Sequence, residues 1–332
     1  MRRLRLLTAA AGLALAGLAA GCDHVTDPDG PRLIDRFGEF TLLEPLAASA
    51  TSVDFAAGEA ITFSAQFSKQ TNWVLEITGD QSGAVRRIEG FSAQLDETNA
   101  RWTGGTSELP LFKTEPVTAA LFFPDEADPD TTRADIAVLS TRDYPGVVLA
   151  AFEGDDDITI GNFEFEFEGA GISAEVPPGE GDGFFLFRGT DRNLPNFFVG
   201  LIDIRPAGGG TVAVPTAVPE DLFLNFFLYG FNTPNTIAVV QVIADANGND
   251  AFDDGTDTVF PFGDIVPDFT GWRLYSKPLS ELGLTEEQAA NIVAVRVLLI
   301  SDMNGQPNPP LPVDFGIDYI TFTAGGPLNL SP

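Results

Sequence analysis

Oxygen-bearing side chains crowd the run Asp245-Ala246-Asn247-Gly248-Asn249-Asp250-Ala251-Phe252-Asp253-Asp254-Gly255-Thr256-Asp257. Calcium takes roughly six to eight oxygen ligands. A loop that carries Asp245, Asn247, Asn249, Asp253 and Asp257 at this spacing can wrap them round one ion. The same residues also spell an acidic hairpin loop, because Asn247-Gly248 and Asp254-Gly255 are turn dipeptides. A second group consists of polar residues inside strand-like runs, where burial without a partner is costly. Asn225 and Tyr229 share a face with Phe223 and Phe227. Asp203 and Arg205 share one with Phe197, Arg273 and Tyr275 alternate with Trp272 and Leu274, and Arg296 interrupts an apolar strand. An aromatic ring beside amide and guanidinium donors suits a sugar, whose CH face stacks while its hydroxyls take directed hydrogen bonds. The alternative is that these residues face solvent on the outside of a sheet, or pair with neighbouring Asp and Glu.

Several chemistries lack their parts. The 332 residues hold one cysteine, Cys22, and one histidine, His24. That excludes an internal disulfide and a Cys/His metal cluster, and His24, two residues past Cys22, is a poor candidate for the positioned base of a Ser-His-Asp triad. No nucleophile elbow, phosphate loop or zinc motif is present. Paired carboxylates could still hydrolyse glycosides, but among 48 acidic residues no pair stands out. The reading is therefore of a protein that is not an enzyme. The formal net charge of -30 argues against nucleic acid as a partner, since phosphate binding needs clustered Lys and Arg.

The elements that must position these residues read as strands. Short runs of Phe, Val, Ile and Thr are punctuated by Asp, Asn, 34 Gly and 24 Pro, and an apolar fraction of 44% suffices for a core. The predicted class is all-β. A first block, 40–126, carries about seven strands; in it Ile61, Phe63, Ala65 and Phe67 share a face, as do Trp73, Leu75 and Ile77. Trp73 and Trp102 read as core residues ahead of sugar platforms. Residues 127–146 read as an acidic linker, 147–326 as a second sandwich of about nine strands, and 327–332 as a tail. Gly161 to Glu168 alternates Phe inward with Glu outward, and Thr285-Glu286-Glu287-Gln288 is a capping box opening a short helix.

The chain opens with Arg2, Arg3 and Arg5, runs apolar from Leu6 to Ala20 and reaches Gly21-Cys22. A basic start, a short apolar stretch and small residues before a cut describe a secretory signal. Leu18-Ala19-Ala20-Gly21-Cys22 resembles the bacterial lipoprotein box. The resemblance implies removal of 1–22 up to the Cys, lipidation of Cys22 and attachment to a membrane through that lipid. Residues 23–39 then form an acidic tether, and the expected location is the cell envelope, at the outer membrane facing the exterior. Loss of three Arg leaves 15 basic against 48 acidic residues, a net charge of -33. This balance resembles proteins of salt-loving organisms, where a screening length of ~3 Å at 1 M salt makes self-repulsion tolerable; an acidic surface protein at ordinary salt is the alternative.

Two further resemblances bear on fold. The stretch from Trp73 through Ser82-Gly83-Ala84 to Trp102-Thr103-Gly104 looks like bacterial immunoglobulin-like modules. The series Asp221 to Tyr229, Asp245 to Asp250, Thr270 to Leu274 and Asp314 to Phe322 looks like the galactose-binding-like jelly rolls, which include many carbohydrate-binding modules. The implied architecture is an immunoglobulin-like sandwich followed by a jelly-roll sandwich. The resemblance also implies a structural calcium between Glu153 and Asp318. The Asp245 loop departs from the EF-hand pattern, with Gly248 fourth rather than sixth and Thr256 at the twelfth position. The expected function is a lipid-anchored protein binding a polysaccharide or other glycan. The alternatives are an adhesive protein contacting protein partners and, behind it, a glycoside-active enzyme.

Overall fold

The computed structural model describes residues 38–126, 131–154, 158–164, 167–190, 194, 196–302 and 311–331, with the side chains of 162–164 excepted. Cys22, His24, the signal and most of the tether lie outside the described residues.

The first unit contains β1 (Leu42–Ala48), β2 (Ser52–Asp54), β3 (Ile61–Gly79), β4 (Val85–Leu95), β5 (Arg101–Trp102), β6 (Pro116–Phe122) and β7 (Thr132–Ser140). Alternating burial along β3 follows its apolar positions, with Ile61, Phe63, Ala65, Phe67, Trp73, Leu75 and Ile77 all buried. At 19 residues β3 is long enough to pair with β1, β4, β5 and β6. The result is one seven-stranded hydrogen-bonded sheet around a single core. Trp73 and Trp102 lie in that core, their ring N–H groups donating to Ser92 Oγ and Gly105 O. Gly90 of β4 sits under Trp73, where a Cβ would lie 2.2 Å from the ring.

The border differs from the sequence expectation. Much of 127–146 is strand: β7 pairs antiparallel with β6 and parallel with β2. Ile136 and Val138 enter the core, and Ala134 packs against it. Their period-two spacing is the reason, and the acidic run before it obscures the pattern in the sequence. The chain passes from the first unit to the second through the segment 141–146.

The second unit is a sandwich of two sheets, in accord with the jelly-roll reading. One sheet holds β8 (Val147–Ala150), β10 (Gly171–Ser173), β11 (Phe184–Thr190), β13 (Leu222–Phe231), β16 (Thr270–Pro278) and β18 (Pro312–Ala324). The other holds β9 (Ile158–Glu164), β12 (Phe197–Pro206), β14 (Thr236–Ala244), β15 (Thr258–Ile265) and β17 (Ile292–Ser301). Leu224, Phe226, Leu228 and Ile317 of the six-stranded sheet meet Val240, Val242, Val295 and Val297 of the five-stranded one in a common core. Two short helices, α1 (Leu279–Leu282) and α2 (Glu286–Ala290), join β16 to β17. The expected capping box at Thr285 is present: Thr285 Oγ1 accepts from Gln288 N while Gln288 Oε1 accepts from Thr285 N. Of the Phe/Glu alternation, Phe163 and Phe165 fall outside the described side chains; Phe167 packs beside Phe187, with ring centroids 5.8 Å apart.

The two units dock through the outer face of the six-stranded sheet. Leu109 and Leu111 from the first unit, with Leu328 and Leu330 from the chain's last residues, pack against Phe227, Trp272, Leu274 and Tyr319. Leu111 N donates to Gly179 O, Thr106 N to Leu330 O, and Lys113 Nζ meets Asp182 at 2.9 Å. The stretch after 326 is thus a strap across both units instead of a free tail, because its two leucines fill this seam.

Candidate functional site

The structure separates the predicted ligand residues into three places. In β13 and β16, Tyr229 is opposite Trp272, while Arg273 is opposite Leu228 and Tyr275 opposite Phe226. Directly opposed residues share a face. Asn225 and Tyr229 therefore project from the outer face of the six-stranded sheet, and Arg273 and Tyr275 from its inner face at the edge strand. These residues do not line one groove.

Asn225 is fully buried and its amide is committed. Nδ2 donates to Thr323 Oγ1 at 2.9 Å, and Oδ1 accepts from Ser276 Oγ at 2.7 Å and Leu328 N at 2.9 Å. No polar atom is left for a ligand, so its place is structural, as burial demands of an amide. Tyr229 packs against Phe231 and Trp272, and the Trp272 ring N–H is held by Pro177 O. Arg273 lies 3.7 Å over the Phe269 ring, Tyr275 stacks on Phe226, and Lys277 donates to Phe262 O. This row closes the sandwich edge between β16 and β15. Burial raises the Tyr275 pKa, with Arg273 acting against it.

Asp203 and Arg205 lie on the outer face of the five-stranded sheet. Register aligns Gly161, Asp203, Arg296, Gln241 and Pro261 in one row across it. Arg296 grips Asp203 with two bonds, Nε–Oδ1 at 2.6 Å and Nη2–Oδ2 at 3.1 Å, and also reaches Asp254 at 2.8 Å. The hydrogen bond to Asp203 is the main cause of its raised pKa. Asp203 is thereby used up. Arg205, one row along, forms no ion pair among the described residues, and its Nε is buried without an acceptor there. Gly161 makes room for it, since a Cβ there would stand 2.8 Å from Arg205 Nη2.

The Asp245–Asp257 loop folds back over this face. Phe252 packs on Ile243, Val293 and Ala294, and its ring lies between Arg205 and Arg296, 5.2 and 5.6 Å from the two guanidinium carbons. Gly208, Gly209 and Gly210 follow β12 at φ 77, 84 and 94, a backbone path that only glycine adopts easily. Thr159, Arg205, the three glycines and Phe252 line an open pocket of about 300 Å³. It offers an aromatic wall, a guanidinium with spare hydrogen-bonding capacity and a floor without side chains. Sequence reading found Arg205 but missed Phe252, Gly161 and the glycine floor; three consecutive glycines beside a strand end were the available signal.

The carboxylates of the acidic loop turn toward the loop's own N–H groups. Asp245 accepts from Asn247 N, Gly248 N and Asp250 N, and Asp257 from Ala246 N and Asp253 N. Asn247 and Asn249 both donate to Asp253 Oδ2. Among the described residues no group of three or more His, Cys, Asp or Glu is arranged to hold a metal ion. As folded, these oxygens are engaged by the loop's own N–H and amide groups.

Asp318 is fully buried in β18. Tyr319 and Ile320 together oppose the single Phe226, a bulge at which Tyr319 takes φ 46. Asp318 accepts from Tyr319 N at 2.8 Å and Glu180 N at 2.9 Å, and Glu153 accepts from Asp182 N. Burial raises the Asp318 pKa well above the usual carboxylate range, with added pressure from Glu180 and Glu153.

No protein-family model matches the chain. No curated protein matches it. Among solved structures, it is similar to carbohydrate-binding modules of the β-sandwich superfamily at 13% identity and a TM-score of 0.36, over 86% of this chain and 98% of that one. It is similar to SGBP-B from a xyloglucan utilisation locus of Bacteroides uniformis at 14% identity and a TM-score of 0.35, over 85% and 73% of the two chains. A family 11 carbohydrate-binding module from Clostridium thermocellum, solved with a mixed-linked tetrasaccharide, matches at 14% identity and a TM-score of 0.33, over 55% and 97%. At these TM-scores the likenesses carry no argument about ligand or site.

Proposed function

We propose that this chain is a non-catalytic, lipid-anchored protein of the cell envelope that binds carbohydrate on the outer face of its five-stranded sheet. The observation that carries the reading is Arg205, whose buried Nε has no acceptor among the described residues, set beside Phe252 over the glycine floor. The part of the Phe252 ring that lines the pocket gives a sugar ring apolar contact, and the sugar's hydroxyls accept from the guanidinium. Retention of the full chain on polysaccharide affinity gels, lost in Arg205→Ala and Phe252→Ala variants that still fold, is the expected result. A folded chain that binds no glycan overturns the reading, and crosslinking to protein neighbours on intact cells favours the adhesive alternative. Release of reducing sugar, abolished by one carboxylate-to-amide change, overturns the non-catalytic part.

The anchor is proposed at Cys22, and an unmodified thiol in mass spectra of the native protein overturns it. Calcium is proposed only at Asp318 with Glu153, because a fully buried carboxyl is stabilised by a proton or by a cation. Its test is a rise in melting temperature with calcium at fixed ionic strength.

A further inference from the structure

With 48 acidic residues against 18 basic ones, an arginine whose buried N–H group has no acceptor among the described residues is conspicuous. Arg188 meets Glu175 and Asp314, and Arg296 meets Asp203 and Asp254. Arg86 and Arg142 form no ion pair among the described residues. They come together at the seam between the units, Arg86 from β4 and Arg142 from the connecting segment 141–146. Burial first, and then the charge of Arg142, lowers the Arg86 pKa. The Arg142 guanidinium lies 5.3 Å over the ring of Tyr144.

Three donors here lack acceptors among the described residues: Arg86 Nε, Arg142 Nη1 and the Tyr144 hydroxyl, all buried. A buried donor left unpaired is costly, so three at one seam call for an acceptor. Burial also pushes the Tyr144 phenol up to about 12, which keeps its O–H a donor at neutral pH. Arg142 and Tyr144 line an open cleft of about 300 Å³, walled by Leu111 and Phe112 of the first unit and by Glu180 and Tyr319 of the second.

We propose that this seam cleft is a second ligand site, one that takes the carboxylate of an acidic sugar. Arg142 and Tyr144 donate to the carboxylate, Arg86 adds its charge, and Phe112 and Tyr319 supply apolar walls for the sugar ring. Glu180 and Asp143 line the same cleft, so a single negative charge suits it better than a doubly charged phosphate. The site is separate from the Arg205 pocket and does not depend on it.

The test is calorimetric titration of the full chain with glucuronate and galacturonate, beside glucose, galactose, acetate and sulfate. Binding of a uronate, weakened at least about tenfold by Arg142→Gln and unchanged by Arg205→Ala, is expected, since a charge-assisted hydrogen bond contributes that much or more. Should Arg142→Gln fail to fold, Tyr144→Phe keeps the ring, removes the hydroxyl and is expected to weaken uronate binding. Equal binding of neutral hexoses overturns the proposal. So do acetate or sulfate matching the uronates (an adventitious ion only), no uronate binding, or uronate binding indifferent to both variants. Loss of polysaccharide retention in Arg205→Ala with uronate binding intact separates this site from the first.

Discussion

Asn225 and Arg205 send the same signal in the sequence, a polar side chain inside a strand, and the fold gives them opposite fates. The Asn225 amide ties β13 to β16, β18 and the C-terminal strap. Asn225→Ala leaves buried donors and an acceptor unpaired, and is expected to cost about 2–4 kcal/mol in urea unfolding while glycan retention of the folded fraction is unchanged. Asp318 gives a pH dependence. Its folded pKa lies above the ordinary 3.8, so the native state holds the proton more tightly than the unfolded chain. The stability it contributes is complete below about pH 4 and is lost as pH rises through the folded value. In metal-free buffer, Asp318→Asn is expected to flatten the fall in melting temperature from about pH 4 upward; an unchanged slope would show that another group titrates.

At the scale of elements, close approach decides as much as periodicity. β4 can cross Trp73 only because Gly90 lacks a side chain. Gly90→Val is expected to destabilise the first unit by about 1–3 kcal/mol through overpacking, read as a lower denaturant midpoint. The bulge at Tyr319 works differently. It places one extra residue in β18 and so keeps Asp318 and Tyr319 beside the Glu180 loop while Ile317 and Ile320 stay in the sandwich core. Strand β7 shows how a local pattern is missed: Ala134, Ile136 and Val138 alternate correctly, but they follow an acidic run that reads as linker.

For the whole molecule, the seam is apolar at its centre and polar around it. Leu111 and Leu328 are buried there, with Lys113–Asp182 and the Arg86–Ser331 hydrogen bond alongside. Units coupled this way are expected to unfold together. Truncation after Gly326 removes Leu328, Leu330 and the Asn225 contact, and is expected to turn one calorimetric transition into two. A single transition after truncation would mean that Leu111 alone holds the units together. The charge of -30 acts over the same scale: added salt is expected to raise the melting temperature by screening self-repulsion.

The sequence by itself determined the all-β class, the buried tryptophans and the Thr285 cap. Each of these depends on residue types and on spacing within a few positions, which local sterics convert directly into strand, turn or cap. Tertiary structure alone decided which face of each sheet is covered. Period two says that Asn225 and Tyr229 point the same way, but the cover comes from Leu328 and Leu111, about a hundred residues distant in either direction. For the same reason the pairing of Asp203 with Arg296, the burial of an Arg205 Nε that finds no acceptor among the described residues and the meeting of Arg86 with Arg142 appear only when remote strands are brought into register.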